Sequence, residues 1–238
     1  MQLFCLTYAG GTAAFYDQLN AYIGDTIELI KLEYAGHGSR HKEPFYRDFF
    51  ELANDMYNQI KERMNAEQQY ALIGYSMGSI SVVEILKLII EKKEIGFPKC
   101  VFIAAHEPIT RLQVSEDEDG MSDELVKERT IKFGRIPERL INNKSFWRMY
   151  LPLYRNDYSI IGKYEFNVVT LKTNIPTVIF YSPTDTKIEN MLLWNKYFIG
   201  TLDFVAYEGN HFFIEQHCED MCRIINEKLQ MEEKKNDV

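Results

Sequence analysis

The pentapeptide Gly74-Tyr75-Ser76-Met77-Gly78 stands between a short β-rich run, Tyr70–Ile73, and a helical pattern, Met77–Glu91, that is apolar nearly all round. Ile80, Val82, Val83, Ile85, Leu86, Leu88, Ile89 and Ile90 leave that helix almost no polar face. A helix of this kind is covered on most sides, as one packed against the middle of a sheet is. The same alternation runs along the chain. Further strand patterns fall at Gln2–Thr7, Thr26–Leu32, Cys100–Ala105, Thr177–Tyr181 and Asp203–Tyr207. Over Phe45–Asn65 the apolar residues Phe49, Leu52, Met56, Ile60 and Met64 step by three or four, which is one face of a helix. A last helix from about Glu215 puts Cys218, Met221, Cys222, Ile225 and Leu229 on one stripe, ahead of a charged tail, Glu232–Val238. Strands alternating with helices predict an α/β fold, a mostly parallel central sheet with helices on both faces.

One stretch breaks the rhythm. From Pro108 to Leu171 no core strand is evident, only helical patterns at Ser122–Lys132 and Ser145–Tyr154 and an acidic loop, Glu116–Asp119. An unstructured loop of that length is foreign to a compact domain. The expectation is a helical lid, 108–171, inserted into a core made of 1–107 and 172–238.

The rest of the composition narrows the function. The 238 residues suit one large α/β domain, and 46% hydrophobic with 26% charged content excludes disorder. A net charge of −8 argues against a nucleic-acid footprint. An acidic partner would have to meet a local basic patch, from Arg40, His41 and Lys42, or from Arg135, Arg139 and Arg148. No run of about 18 apolar residues offers a membrane span, and Met1–Thr7 lacks a signal-like basic and apolar region. Four scattered cysteines make no disulfide framework, so a cytoplasmic address with reduced thiols is expected. Cys218 and Cys222 share the apolar stripe of the last helix, so with His211 and His217 they make no metal site; no metal or cofactor is expected.

Gly74–Gly78 is a G-x-S-x-G elbow in strand–turn–helix context. Glycine is needed on both sides of the serine because a Cβ there would crowd the adjoining strand and helix. The turn lifts the Ser76 Oγ over a helix N-terminus, where free N–H groups favour developing negative charge. A serine hydroxyl needs a base. The five histidines are His37, His41, His106, His211 and His217. The elbow's chain order is serine, acid, histidine, and His211 fits it, in the loop between the last strand and the last helix. His37 and His41 precede the nucleophile, His106 follows the neighbouring strand, and His217 lies inside the final helix. Asp185, just past Thr177–Tyr181, is the favoured acid. Glu107 is its rival, with Asp157 and Asp203 behind. The oxyanion would be met by the N–H of Met77 and by that of Ala9, in the loop Tyr8-Ala9-Gly10-Gly11-Thr12.

These residues resemble the type II, or editing, thioesterases of nonribosomal peptide and polyketide synthases, members of the α/β-hydrolase superfamily. The resemblance covers almost the whole chain. It is carried by Leu3–Gly11, by Tyr34-Ala35-Gly36-His37-Gly38-Ser39-Arg40 with Glu43-Pro44, by the elbow, by Phe133–Pro137 and Leu151–Tyr158 in the lid, and by Gly209-Asn210-His211-Phe212-Phe213. It implies an α/β-hydrolase fold, a Ser76–Asp185–His211 triad, and hydrolysis of acyl groups from the phosphopantetheine arm of acyl or peptidyl carrier proteins. The phosphopantetheine belongs to the substrate, and the enzyme is expected to be a monomer. Thr7, Tyr75, Ala35 and His37 depart from the family's usual proline, histidine, proline and arginine, which leaves the acyl preference open. Met121, Phe146, Trp147 and Met149 are candidates to line the acyl pocket or to pack within the lid. Rival readings are a general esterase or lipase, an acyltransferase, and a non-catalytic carrier-binding module.

Overall fold

The computed structural model describes residues 1–108, 121–132, 136–164, 171 and 173–230. The acidic loop at 116–119, the lid residues 133–135 and the tail 232–238 lie outside the described residues. Among the described residues six strands form one sheet: β1 (Gln2–Leu6), β2 (Glu28–Lys31), β3 (Tyr70–Tyr75), β4 (Val101–Ala104), β5 (Thr177–Tyr181) and β6 (Leu202–Ala206). Their order is β2-β1-β3-β4-β5-β6, and every pairing is parallel.

The period of two along each strand sorts its residues between two cores. Phe4, Leu6, Leu72, Val101, Ile103 and Ile179 face α1 (Phe49–Arg63) and α2 (Met77–Lys92). Leu3, Cys5, Ile73, Phe102, Val178 and Phe180 face a 3₁₀ segment, Ala13–Ala21, and the last helix. Both faces are buried, which is why the inner strands read as continuous apolar runs. The edge strands β2 and β6 are half-exposed and shorter or shifted by a residue from their sequence patterns. Asp48 caps α1 by accepting the Glu51 N–H at 2.8 Å, which fixes where that helix begins.

Between β4 and β5 the described residues form α3 (Asp123–Lys132), α4 (Glu138–Ile141) and α5 (Lys144–Gly162). Val126, Trp147, Leu151 and Tyr154 make a small core of their own there. Asn143 caps α5 by accepting the Phe146 N–H at 3.0 Å. The helix then runs straight through Pro152, well past the end expected near Tyr154. Proline costs one intrahelical hydrogen bond. Continued burial of Tyr154, Asp157 and Ile160 beyond it outweighs that loss. The short α6 (Ile188–Met191) precedes β6, and α7 (Ile214–Gln230) closes the chain's described part.

Candidate active site

β3 ends at Tyr75 and α2 begins at Met77, so Ser76 is the whole turn. Its φ is +54°, a left-handed conformation that a serine adopts only where its surroundings hold it. Those surroundings are backbone. The Ser76 N–H donates to the carbonyl of Ala104 on the neighbouring strand at 2.8 Å. A Cβ on Gly74 would lie 2.2 Å from the Gly78 carbonyl oxygen, and one on Gly78 would lie 2.1 Å from that of Leu6. The two glycines let α2 sit directly against β3 and β1, and the serine is left projecting.

Two loops at the same end of the sheet carry Asp185 and His211. The His211 Nδ1–H donates to Asp185 Oδ2 at 2.8 Å, and both side chains are about one-fifth exposed, at 21% each. The hydroxyls of Ser182 and Thr184 both donate to the carbonyl of Gly209, which stitches the acid's loop to the histidine's loop. The Tyr75 hydroxyl adds a third tie, donating to the His211 carbonyl at 2.7 Å. With Nδ1 carrying the proton, Nε2 presents the ring's lone pair and can act as an acceptor.

Ser76 and His211 line one cavity with Ala9 and with Tyr150, Tyr154 and Tyr158 of α5. Its volume is about 20 Å³, room for about one water. The N–H groups of Ala9 and Met77 meet no acceptor among the described residues, as donors awaiting an oxyanion would.

The other candidates fall elsewhere. Glu107 is not on His211; its Oε2 is buried with no hydrogen-bond partner among the described residues. Burial pushes the His106 imidazole down to about 4, so this ring is neutral at physiological pH. His217 stacks on Tyr207, with ring centroids 4.8 Å apart, and its Nε2 donates to the Glu208 carbonyl. His41 is exposed and bonded to the Gly38 carbonyl. Asp203 pairs with Lys228. Asp157, weighed as an outlying acid, is instead buried against His37, at 2.9 Å between Oδ2 and Nε2.

Of the two roles open to Met121, Phe146, Trp147 and Met149, lining this cavity falls to none of them. Trp147 belongs to the lid's own core, with Met121 and Phe146 against it, and Met149 is 72% exposed. The helix turns its Tyr150, Tyr154, Tyr158 side to Ser76, which the spacing of three to four would have indicated. Arg40 is no free cation for an acidic partner, because Glu43 and Asp55 both pair with its guanidinium.

The thioesterase domain family matches residues 1–229 of this sequence. The chain belongs to that family. Among curated thioesterases, it is 24% identical over 216 residues to the medium-chain S-acyl fatty acid synthase thioesterase of Rattus norvegicus, covering 90% of this chain and 81% of the relative. Among solved thioesterase structures, ClbQ from the colibactin NRPS/PKS pathway superposes with a TM-score of 0.88 at 26% identity, covering 97% of each chain. The type II thioesterase BorB from the borrelidin biosynthetic cluster gives 0.81 at 25% identity, over 96% of this chain and 92% of BorB. The fold is therefore that of the α/β-hydrolase thioesterases, and the reaction is thioester hydrolysis. Among the described residues no helix is long and apolar enough to cross a membrane.

Proposed function

We propose that this thioesterase strips acyl groups from the phosphopantetheine arm of acyl or peptidyl carrier proteins, clearing mis-primed or stalled nonribosomal peptide or polyketide synthases. Ser76 is the nucleophile, His211 the base and Asp185 its partner. The observation that carries this reading is the Asp185–His211 hydrogen bond behind a cavity that His211 shares with Ser76. The kinship to BorB and ClbQ supports the choice of substrate class. We read 108–171 as a lid over a core of 1–107 and 172–238, and the working enzyme as a cytoplasmic monomer that needs no cofactor.

Ser76 Oγ attacks the thioester carbonyl while His211 Nε2 takes its proton. Asp185 holds the imidazole in the tautomer that can accept and stabilises the imidazolium. The oxyanion lies between the Ala9 and Met77 N–H groups. The C–S bond breaks and the thiol leaves with the proton from His211. Water then gives a proton to the same nitrogen, attacks the acyl-serine, and the free acid departs as Ser76 regains its proton.

Intact-mass spectrometry of an acetyl-loaded carrier protein tests the reading. Wild type should remove the acetyl mass and Ser76→Ala should leave it. Survival of the acyl-carrier with both proteins, while wild type cleaves a simple ester, would hand the site to a general esterase.

A further inference from the structure

Asp157 lies on the inward face of α5, beside Tyr154 and Ile160, and is fully buried. A buried carboxylate is costly unless it is paired and hydrogen-bonded. Its Oδ2 is met twice, by the Gly10 N–H at 2.7 Å and by His37 Nε2 at 2.9 Å, while Oδ1 has no partner among the described residues. His37 is equally buried, and its Nδ1 lies 2.9 Å from the Ala35 carbonyl, which only accepts. Nδ1 therefore carries a proton. A neutral ring would turn the bare lone pair of Nε2 on the carboxylate oxygen, so a second proton sits between Nε2 and Oδ2. Burial works to push the His37 imidazole down, but the Asp157 charge and hydrogen bond outweigh it and raise it above its usual value.

The third partner of this pair is the loop that carries Ala9. Gly11 N–H donates to the Tyr8 carbonyl at 3.0 Å and Gly10 has a φ of +78°, which makes Tyr8–Gly11 a type II turn. Asp157 accepts the N–H of the turn's central peptide, the Ala9–Gly10 bond, and so ties the turn to α5. The same helix presses on the turn from the side: a Cβ on Gly10 would lie 2.6 Å from the Tyr150 hydroxyl.

We propose that Asp157, held by His37, is a positioning residue for the oxyanion hole, which anchors the Tyr8–Gly11 turn to α5 and so keeps the Ala9 N–H at the Ser76 cavity. This rests on the roles given above to Ser76 and Ala9. Asparagine at 157 can turn either an oxygen to Gly10 or an amide to a neutral His37 at the point where Oδ2 now serves both, so D157N breaks one of the two contacts with almost no change of shape.

The test compares two pantetheine ligands. A trifluoromethyl ketone adds to Ser76 Oγ, with the proton passing to His211, and needs the oxyanion hole. An unreactive amide isostere needs only the pocket. In D157N, kcat should fall by about 10²-fold with KM within about threefold. Ketone affinity should fall by a like factor and amide affinity by less than about threefold. His37→Gln, which still offers Oδ2 a donor, should lose roughly tenfold or less in kcat and in ketone affinity. A D157N protein with the wild-type circular dichroism spectrum but undiminished kcat and ketone affinity would overturn the proposal, as would equal loss of both ligands. A His37→Gln loss as large as that expected of D157N would do so too. A wild type that forms no ketone adduct at all would instead sink the triad reading, and this proposal with it.

Discussion

The Tyr75 hydroxyl reaches across to the backbone carbonyl of His211 at 2.7 Å, so the residue before Ser76 fixes the height of the loop that bears the imidazole. Its ring is buried, stacked on Phe212 at 6.2 Å between centroids and 5° between planes. The elbow and the histidine loop therefore share one rigid contact. Tyr75→Phe keeps the stacking and strands a carbonyl. It should cost about 1–3 kcal/mol in denaturant unfolding and lower kcat several-fold with little change in KM. Unchanged kcat would mean that the other ties to this loop suffice.

Asp185→Asn should leave the fold intact and cost up to ~10⁴ in kcat, since an amide facing Nδ1 favours the wrong tautomer. Steady-state kinetics beside Glu107→Gln decides the matter. A greater loss from the Glu107 change would move the acid's role there.

Gly74→Ala and Gly78→Ala both drive a methyl into backbone rather than into a side chain that can turn away. Each should destabilise the protein by about 3 kcal/mol or more, or prevent soluble expression. Gly96, where an added Cβ meets nothing within 4 Å, is the control. Gly96→Ala should fall within about 0.5 kcal/mol of wild type.

Two imidazoles, the buried His37 and the half-buried His106, give stability opposite pH dependences. The His37 value is raised, so the stabilisation from its pair with Asp157 is complete below about 6.5 and is lost as pH rises through the raised value. The gap in melting temperature between wild type and His37→Gln should narrow from neutral pH upward. His106 is depressed to about 4, so the unfolded chain takes up a proton before the folded one as pH falls from about 6.5. Wild type should lose stability across that acid window, and His106→Gln should lose less. Parallel curves for wild type and a variant would refute the assignment for that residue.

Tyr150 closes the cavity from α5. Tyr150→Ala should shift kcat/KM toward longer acyl chains, measured across a series of acyl-pantetheines. An unshifted chain-length profile would put the acyl group somewhere other than under this ring.

The strands were readable because a parallel sheet covered on both faces writes each inner strand as an unbroken apolar run, as in β3 and β5. The half-exposed edges β2 and β6 lack that signal, and their ends shifted. Ser76, Asp185 and His211 come together because chain order and strand ends fix which loops meet. The pair of His37 and Asp157 was out of reach, since its members lie 120 residues apart and nothing in the two segments that hold them, Tyr34–Arg40 and Leu151–Tyr158, ties one to the other. One clue was present: Asp157 falls on the apolar face of α5, in step with Leu151, Tyr154 and Ile160, where an acid requires a partner.

All four thiols lie in the layer between the sheet and α7: Cys5 on β1, Cys100 at the entry to β4, and Cys218 and Cys222 on α7 itself. The opposite layer, under α1 and α2, holds none. Alkylation kinetics on the natural protein therefore form a one-sided clock. A reagent that labels only exposed sulfur times the lifting of α7, and it stays silent while the layer beneath the elbow helix breathes.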